Sequence, residues 1–212
     1  MTWASWIRTV EIEPALDLGG DFVVAGNVEA LLRTGCKLVH VDAGDGLVGS
    51  AGRLSVLAPL VHRYQGVVDL HLTAGDPLPL FRPAAAAGAD SVTFDASAVP
   101  DLPAAIRGAR DAGLQAGVAV GPDGDVDAVA QAAREADLVL CTGHDDPVPI
   151  LRRLRLALPS TVALQVEGPA VEVPGALGDL HEAGARVFVL WDAIFEREDL
   201  PRAYRRLVQE LA

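Results

Sequence analysis

The sequence is almost without lysine. Lys37 is the only lysine among 212 residues, and arginine supplies the rest of the basic side chains. Catalysis through a Schiff base needs a lysine amine that is desolvated in a pocket. Lys37 instead stands at the head of an apolar run, which is typical of the start of a strand, so we do not expect Schiff-base chemistry.

Cysteine is also scarce. Cys36 and Cys141 are the only two cysteines, and they lie too far apart in the chain to form a short-spaced metal-binding pair or a disulfide framework. We interpret both as reduced thiols within the hydrophobic core.

Long hydrophobic runs are absent as well. No apolar stretch reaches the roughly 18 residues that span a bilayer. The first residues, Met1 to Arg8, lack the basic segment followed by an apolar segment with which a signal peptide opens. The sequence therefore predicts a cytoplasmic protein without a membrane partner.

Basic residues are outnumbered by acidic ones. The chain has 29 acidic and 17 basic residues, which gives a formal net charge of −12. This excess would repel a polyanion, so a nucleic-acid partner is not expected. Hydrophobic residues make up 50% of the chain, enough for one substantial core, and we expect residues 1–212 to form a single domain.

What the sequence does contain is a repeated unit of about 25 residues, in which an amphipathic stretch is followed by a small-residue break and a β-branched run. Seven runs follow such breaks, at residues 35–42, 66–72, 88–95, 113–120, 136–142, 160–167 and 184–192. The segment 8–13, closed by Pro14, is the eighth.

Helical patterns lie between these runs, and several begin at Asp or Pro and end at Gly, as helix caps require. They cover residues 22–34, 53–64, 78–87, 101–112, 126–135, 147–158, 174–183 and 199–211. Eight strands alternating with eight helices predict an α/β fold, a closed (β/α)8 barrel. The alternative is an open doubly wound sheet, which would usually carry a Gly-rich phosphate loop after its first strand. The weak candidate for that loop, residues 17–21, is flanked by acids.

Polar residues recur where the predicted strands end, which is the face on which barrel enzymes carry their active sites. His40 and Asp42 are two positions apart on one strand and therefore share a face, as do Asp69 and His71 on the next strand. Other polar residues at strand ends are Thr93, Asp95, Gln165, Glu167 and Asp192. The pattern predicts imidazoles and carboxylates that converge on one mouth of the barrel.

Crowded carboxylates repel one another, and a divalent cation removes the conflict. Two imidazoles and two carboxylates suit Zn²⁺, Mn²⁺, Fe²⁺ or Co²⁺, and we expect His40, Asp42, His71 and Glu167 to hold such an ion. The alternative is a polar core whose members bond to one another without a metal. His144, on the loop after the sixth run, is a further candidate for the pocket wall.

Two segments resemble motifs of one enzyme family. Residues 38–46, LVHVDAGDG, resemble the H-x-D-x-M-D-G motif of the ribulose-phosphate 3-epimerases, and residues 68–72, VDLHL, resemble their D-x-H-L motif. The similarity is colinear over nearly the whole chain, from residues 13–22 to residues 183–195. It implies a metal-dependent (β/α)8 barrel that inverts a carbinol carbon next to a ketone by proton transfer through an enediolate.

The resemblance also implies roles for individual residues. His40, Asp42 and His71 match three metal ligands, and Asp42 matches one of two acid/base carboxylates. Glu167 stands where the family has the Asp of a V-D-G-G motif, so the resemblance makes it the remaining ligand and the second acid/base group. Its side chain is one methylene longer, about 1.5 Å, which implies a moved substrate or altered chemistry.

Other departures concern the phosphate of the family's substrate, which backbone amides hold after strands 6 and 8. These places read GHDDP (143–147) and LWDA (190–193) here, so acids and an indole stand where the phosphate would lie. Gly19 replaces a family serine, and Gly44 and Thr73 replace methionines that line the family's pocket. The residues expected to contact substrate are Gly19, Gly44, Thr73, Asp95, His144, Trp191 and Asp192.

The leading hypothesis is a metal-dependent isomerase or epimerase that works through an enolate-type intermediate on a larger, non-phosphorylated small molecule. By analogy alone, such a diverged barrel suits a specialised biosynthetic pathway. The alternatives are a non-catalytic scaffold or binding barrel, and a metal-dependent lyase, cyclase or hydrolase. Authentic ribulose-phosphate epimerase activity ranks below these. The sequence leaves the oligomeric state open, a homo-oligomer included.

Overall fold

A computed structural model describes residues 10–17, 25–44 and 47–211. Its eight parallel strands form a closed barrel in the order β1-β2-β3-β4-β5-β6-β7-β8. The strands are β1 (Glu11–Asp17), β2 (Leu38–Gly44), β3 (Val67–Thr73), β4 (Ser91–Asp95), β5 (Gln115–Val120), β6 (Leu138–Thr142), β7 (Ala163–Glu167) and β8 (Val187–Leu190). The predicted (β/α)8 barrel is confirmed, and the open doubly wound sheet is wrong because β1 pairs with β8 and closes the sheet.

Helices follow the strands on the outside of the barrel. The described helices are α1 (Ala25–Arg33), α2 (Leu47–Arg63), α3 (Phe81–Ala87), α4 (Leu102–Asp111), α5 (Val126–Ala132), α6 (Val148–Ala157), α7 (Ala176–Glu182), α8 (Asp192–Phe195) and α9 (Leu200–Glu210). Short 3₁₀ turns at Leu78–Leu80 and Ala133–Glu135 adjoin α3 and α5, and a third at Ala96–Ala98 directly follows β4. None of the described helices has the length and apolarity that a membrane crossing requires.

The first strand differs from its prediction, because it does not stop at Pro14 but runs on to Asp17. Residues 11–14 pair with β8, and residues 15–17 pair with β2. Pro14 therefore sits where the pairing passes from one neighbour to the other, a place where the missing proline N–H is tolerated in a strand. The remainder of the predicted strand, residues 8 and 9, lies outside the described residues.

Two helices also differ from the prediction. Helix α2 begins at Leu47, six positions before the expected residue 53, since Gly and Ser in its first turns weakened the sequence pattern. The four-residue helix α8 was not predicted at all. It directly follows β8, and it is too short for a hydrophobic period to be visible in the sequence.

The barrel interior is apolar at one end and polar further along. A small apolar cluster fills the end at which the strands begin, and its buried members are Leu38, Leu138, Ala163 and Val187. The next inward-facing side chains are polar and fully buried: Glu13, His40, Asp69 and Gln165. Buried polar groups are costly unless they are paired, so this layer marks the end of the barrel where the site lies.

Residues that the sequence assigned to structural roles occupy them. The side chains of Asp101, Asp125 and Asp199 accept hydrogen bonds from the first-turn amides of α4, α5 and α9. Lys37 directly precedes β2, and its ammonium donates to the Tyr64 carbonyl at 2.6 Å. Both cysteines are free and buried. That residues 1–212 form one domain stays a prediction, as do the cytoplasmic location and the oligomeric state.

Candidate active site

Three strands bring the four predicted metal ligands together. His40 and Asp42 lie on β2, His71 lies on β3 and Glu167 ends β7. Ligand atoms from all four side chains lie within 4.8 Å of one another. The interpretation of the i, i+2 spacing is thus supported by the fold, since both residues of β2 face the interior while Val39 and Val41 pack in the surrounding core.

The closest contacts run between imidazole nitrogens and carboxylate oxygens. His71 Nδ1 lies 3.1 Å from Asp42 Oδ1 and 3.7 Å from Glu167 Oε2. His40 Nε2 lies 3.6 Å from Asp42 Oδ1 and 3.9 Å from Glu167 Oε2. Both carboxylates therefore face both imidazoles, which is the arrangement of a shared ion site.

A second set of buried polar groups lies beneath the first. Asp69 Oδ2 lies 3.1 Å from His40 Nδ1, and Asp69 also accepts hydrogen bonds from Ser91 Oγ at 2.5 Å and Gln165 Nε2 at 3.0 Å. Gln165 Nε2 donates to Glu13 as well. The imidazole of His40 is thereby held between a buried carboxylate on one side and the ligand cluster on the other.

The electrostatics of the cluster favour positive charge. Burial alone would raise the pKa of Asp42, but the imidazoles of His40 and His71 outweigh it and hold that pKa well below its usual range. Burial likewise opposes a charge on His40, yet the carboxylates of Asp42 and Asp69 raise the pKa of the imidazole well above its ordinary value. Without another cation, the cluster therefore keeps a proton on His40.

The buried acids below the cluster differ from each other in charge state. Burial would raise the pKa of Asp69, but His40, Ser91 and Gln165 together lower it. The pKa of Glu13 is raised, first by its complete burial and next by the charge of Asp69. The surroundings thus favour the ionised form of Asp69, next to His40, and the neutral form of Glu13.

Several polar atoms of the cluster have no hydrogen-bond partner among the described residues. Buried atoms of this kind include His40 Nε2, His71 Nε2 and Glu167 Oε2. An unpaired buried polar atom is destabilising, and each one calls for an explanation. The donor set of two imidazoles and two carboxylates fits a divalent transition metal, with the unpaired His40 Nε2 and Glu167 Oε2 facing each other at 3.9 Å.

A cavity of about 520 Å³ opens beside the cluster. The described residues that line it are Ala15, Asp42, Glu167, Gly168, Pro169, Glu172, Val189, Trp191 and Asp192. Four of these are acids, and none is lysine or arginine. The predicted residues Trp191 and Asp192 therefore share one cavity with the two predicted catalytic carboxylates.

Sequence reasoning missed Glu172, which lies between β7 and α7. Its Oε1 accepts hydrogen bonds from the backbone N–H groups of Trp191 at 2.6 Å and Asp192 at 3.3 Å, and its Oε2 accepts one from Ala193 at 2.9 Å. Nothing in the local sequence distinguishes this glutamate from a solvated one, because its partners are backbone groups about 20 residues away.

Other predicted contact residues lie outside this cavity. Gly44 and Thr73 are register partners on β2 and β3, and neither lines it. Asp95 lines a separate cavity of about 280 Å³ between the ends of β4 and β5. His144 turns its Nε2 toward the carbonyl oxygen of Val120 at 3.2 Å. Gly19 lies outside the described residues, so its placement is untested.

Comparison with known proteins gives the family. Residues 11–145 match the model of the ribulose-phosphate 3 epimerase family. The chain belongs to this family. The matched range contains His40, Asp42 and His71 and ends before Glu167, Glu172 and Trp191. The members of this family are enzymes that act on small molecules.

Individual epimerases show the same relationship at low identity. Ribulose-phosphate 3-epimerase of Bacillus subtilis (strain 168) is 25% identical over 214 residues, which covers 92% of this chain and 96% of that protein. The enzyme of Rhodospirillum rubrum is 31% identical over 137 residues, covering 63% of this chain and 60% of that protein. The first alignment therefore covers most of the length of both chains.

Solved structures support the fold alone, since the sequences have diverged further. The 3-hexulose-6-phosphate synthase from Salmonella typhimurium has a TM-score of 0.74 and 18% identity, covering 95% of this chain and 98% of that one. KGPDC from Streptococcus mutans has a TM-score of 0.71 and 17% identity, covering 96% and 98% of the two chains. The epimerase-family barrel described above therefore has close architectural relatives.

Proposed function

We propose that this member of the epimerase family is a metal-dependent isomerase or epimerase that moves a proton at a carbon next to a carbonyl group. Its substrate is a non-phosphorylated small molecule, larger than a pentose phosphate. The observation that carries the proposal is the convergence of His40, Asp42, His71 and Glu167 within 4.8 Å at the wall of an open cavity.

His40, Asp42, His71 and Glu167 would hold the metal. The free Nε2 of His40 and Oε2 of Glu167 supply donors for it, and the charge of the surrounding carboxylates favours a cation over an empty site. When bound, a divalent ion of this kind supplies positive charge that offsets the negative charge developing on substrate oxygens. Zn²⁺, Mn²⁺, Fe²⁺ and Co²⁺ all suit the donor set.

Asp42 and Glu167 would carry the proton transfer. Both line the cavity, and they come from β2 and β7, so they can face a substrate from two directions. Asp42 is kept ionised by His40 and His71, so its carboxylate is in the form that can accept a proton. Two carboxylates are needed because a proton removed from one face of a carbon must be returned on the other.

The absence of phosphate in the proposed substrate rests on the charge of the cavity. Its described wall contains Asp42, Glu167, Glu172 and Asp192 and no basic side chain. A phosphate there would meet like charges at close range. The half-buried indole of Trp191 provides an apolar surface instead, which suits a larger and less polar substituent.

Solvent exchange tests this proposal. The wild-type protein, loaded with Mn²⁺, is incubated in D₂O with the disaccharide ketoses lactulose or maltulose, or with D-ribulose 5-phosphate, and loss of the proton next to the carbonyl is followed by NMR. We expect exchange with an unphosphorylated ketose, and we expect EDTA to stop it. No exchange with any of them would support the scaffold alternative, and exchange confined to the sugar phosphate would contradict the proposed substrate class.

The setting of the reaction follows only by analogy. A barrel of this family whose described cavity wall has no lysine or arginine suits a specialised biosynthetic pathway rather than pentose phosphate metabolism. A lyase, cyclase or hydrolase reaction would use the same four ligands. The exchange experiment separates a hydrolase from an isomerase because hydrolysis does not place solvent deuterium on the substrate carbon. A lyase that forms an enolate can exchange the same proton, and cleavage products in the NMR spectra distinguish it.

A further inference from the structure

The carboxylate of Glu172 is bound by three consecutive backbone N–H groups where β8 ends. The N–H groups of Trp191, Asp192 and Ala193 donate to it at 2.6, 3.3 and 2.9 Å. Hydrogen bonds from neutral donors to an ionised carboxylate are stronger than those between neutral groups. These donors are therefore already taken by an anion that belongs to the protein itself.

The loop between β7 and α7 holds Glu172 in this position. Val171 N donates to Gly168 O at 3.1 Å, and Glu172 N donates to Pro169 O at 3.2 Å, so two successive turns precede the side chain. Val171 is 2% exposed and belongs to the hydrophobic core, which fixes the loop to the barrel. The loop that carries Glu172 is thus anchored to the barrel, and it holds the carboxylate next to the amides.

Glu172 also lies in the cavity that contains the two proposed catalytic carboxylates. Glu167 and Glu172 both line its wall, together with Trp191 and Asp192. An anionic group of a ligand that reached the three amides would have to displace the Glu172 carboxylate. It would also meet the charge of Asp192, which begins α8.

We propose that Glu172 is a specificity-determining residue, whose carboxylate occupies the three amides and thereby excludes substrates that carry an anionic group at this end of the cavity. The inference rests on the proposed function in one respect, namely that this cavity receives the substrate. The inference goes further in two ways. It names Glu172 as the residue responsible for the selectivity, and it implies that removing the Glu172 carboxylate lets the three amides bind an anion.

The Glu172→Ala variant tests the inference, with Glu172→Gln as a second variant that keeps the size of the side chain. Glu135→Gln is the matched control, because it removes one negative charge from an exposed residue in the 3₁₀ turn before β6. Each protein is titrated with inorganic phosphate in EDTA at constant ionic strength. Binding is followed by the thermal shift and by the ¹⁵N amide signals of Trp191 and Ala193.

We expect wild type and Glu135→Gln to show no saturable response to phosphate. Glu172→Ala should bind phosphate at least about tenfold more tightly than wild type. In this variant the three amides no longer donate to Glu172, so they can donate to phosphate without first losing charge-assisted hydrogen bonds. Glu172→Gln should fall between wild type and Glu172→Ala. The Trp191 and Ala193 amides should shift only in the two Glu172 variants.

Two results would overturn the inference. One is a folded Glu172→Ala or Glu172→Gln protein that binds phosphate no better than Glu135→Gln. The other is saturable phosphate binding by the wild type at the Trp191 and Ala193 amides. Because the titration uses metal-free protein, its outcome is independent of metal content and of solvent exchange, which test the proposed function separately.

Discussion

Asp69 Oδ2 lies 3.1 Å from His40 Nδ1, and both side chains are fully buried. Because Asp69 accepts at Nδ1, the proton of a neutral His40 belongs on that nitrogen, which leaves Nε2 free to face Asp42 and Glu167. A carboxylate behind a histidine ligand commonly orients the ring and raises its basicity. The pair therefore connects the buried polar layer to the proposed metal site.

The Asp69→Asn variant should bind a divalent metal about 10- to 100-fold more weakly than wild type, because an amide neither orients His40 in the same way nor supplies a negative charge. The measurement is the dissociation constant for Zn²⁺ in competition with a chelator. Asp90→Asn is the matched control, since Asp90 also contacts a histidine, His62, but at the surface. Equal affinity in Asp69→Asn and Asp90→Asn would contradict the role assigned to Asp69.

Glu167 is proposed both as a metal ligand and as an acid/base group, and its variants test the second role. Glu167→Gln should slow solvent exchange into an accepted ketose by about 100-fold or more, because an amide cannot take up the proton. Glu167→Asp keeps a carboxylate and restores the residue found in the family motif, so it should retain metal and keep part of the exchange rate. The exchange rates of the two variants are compared by NMR at equal metal content. A Glu167→Gln protein as fast as wild type would remove Glu167 from the mechanism.

Much of this site could be predicted from the sequence because its four central side chains lie on regular strands. The alternation in β2 and β3 predicted that His40, Asp42 and His71 share the barrel interior, and parallel strands bring such positions to one mouth. The same reasoning placed Glu167 at the end of β7. Strand pairing fixes these positions once the fold is known.

The parts that sequence reasoning missed depend on contacts between loops and backbone. Glu172 is recognised only through amides of the turn after β8, and backbone donors leave no residue pattern. Pro14 suggested a strand end, although the strand continues because its pairing partner changes there. Helix α8 has only four residues, too few for a period. Each of these features is set by tertiary contacts that act across the chain.

The two cysteines should be inert in the folded protein. Burial raises the pKa of the Cys141 thiol to about 12, and burial also raises the pKa of the Cys36 thiol well above its ordinary value. Both thiols therefore stay protonated at about pH 8, where a free cysteine is partly ionised and reactive. Titration with a disulfide reagent should give no reaction in the native state and two thiols in guanidinium chloride. Rapid reaction of the native protein would contradict the burial of these residues.

The metal content of the His71→Ala variant tests the proposed site most directly. The control is His62→Ala, which removes an imidazole that is 41% exposed and pairs with Asp90. After loading with Zn²⁺ or Mn²⁺ and desalting, wild type and His62→Ala should each retain about one ion per chain by elemental analysis, and His71→Ala should lose it. A wild-type protein that retains no ion, or a His71→Ala protein that retains as much as His62→Ala, would contradict a metal centre built on His40, Asp42, His71 and Glu167.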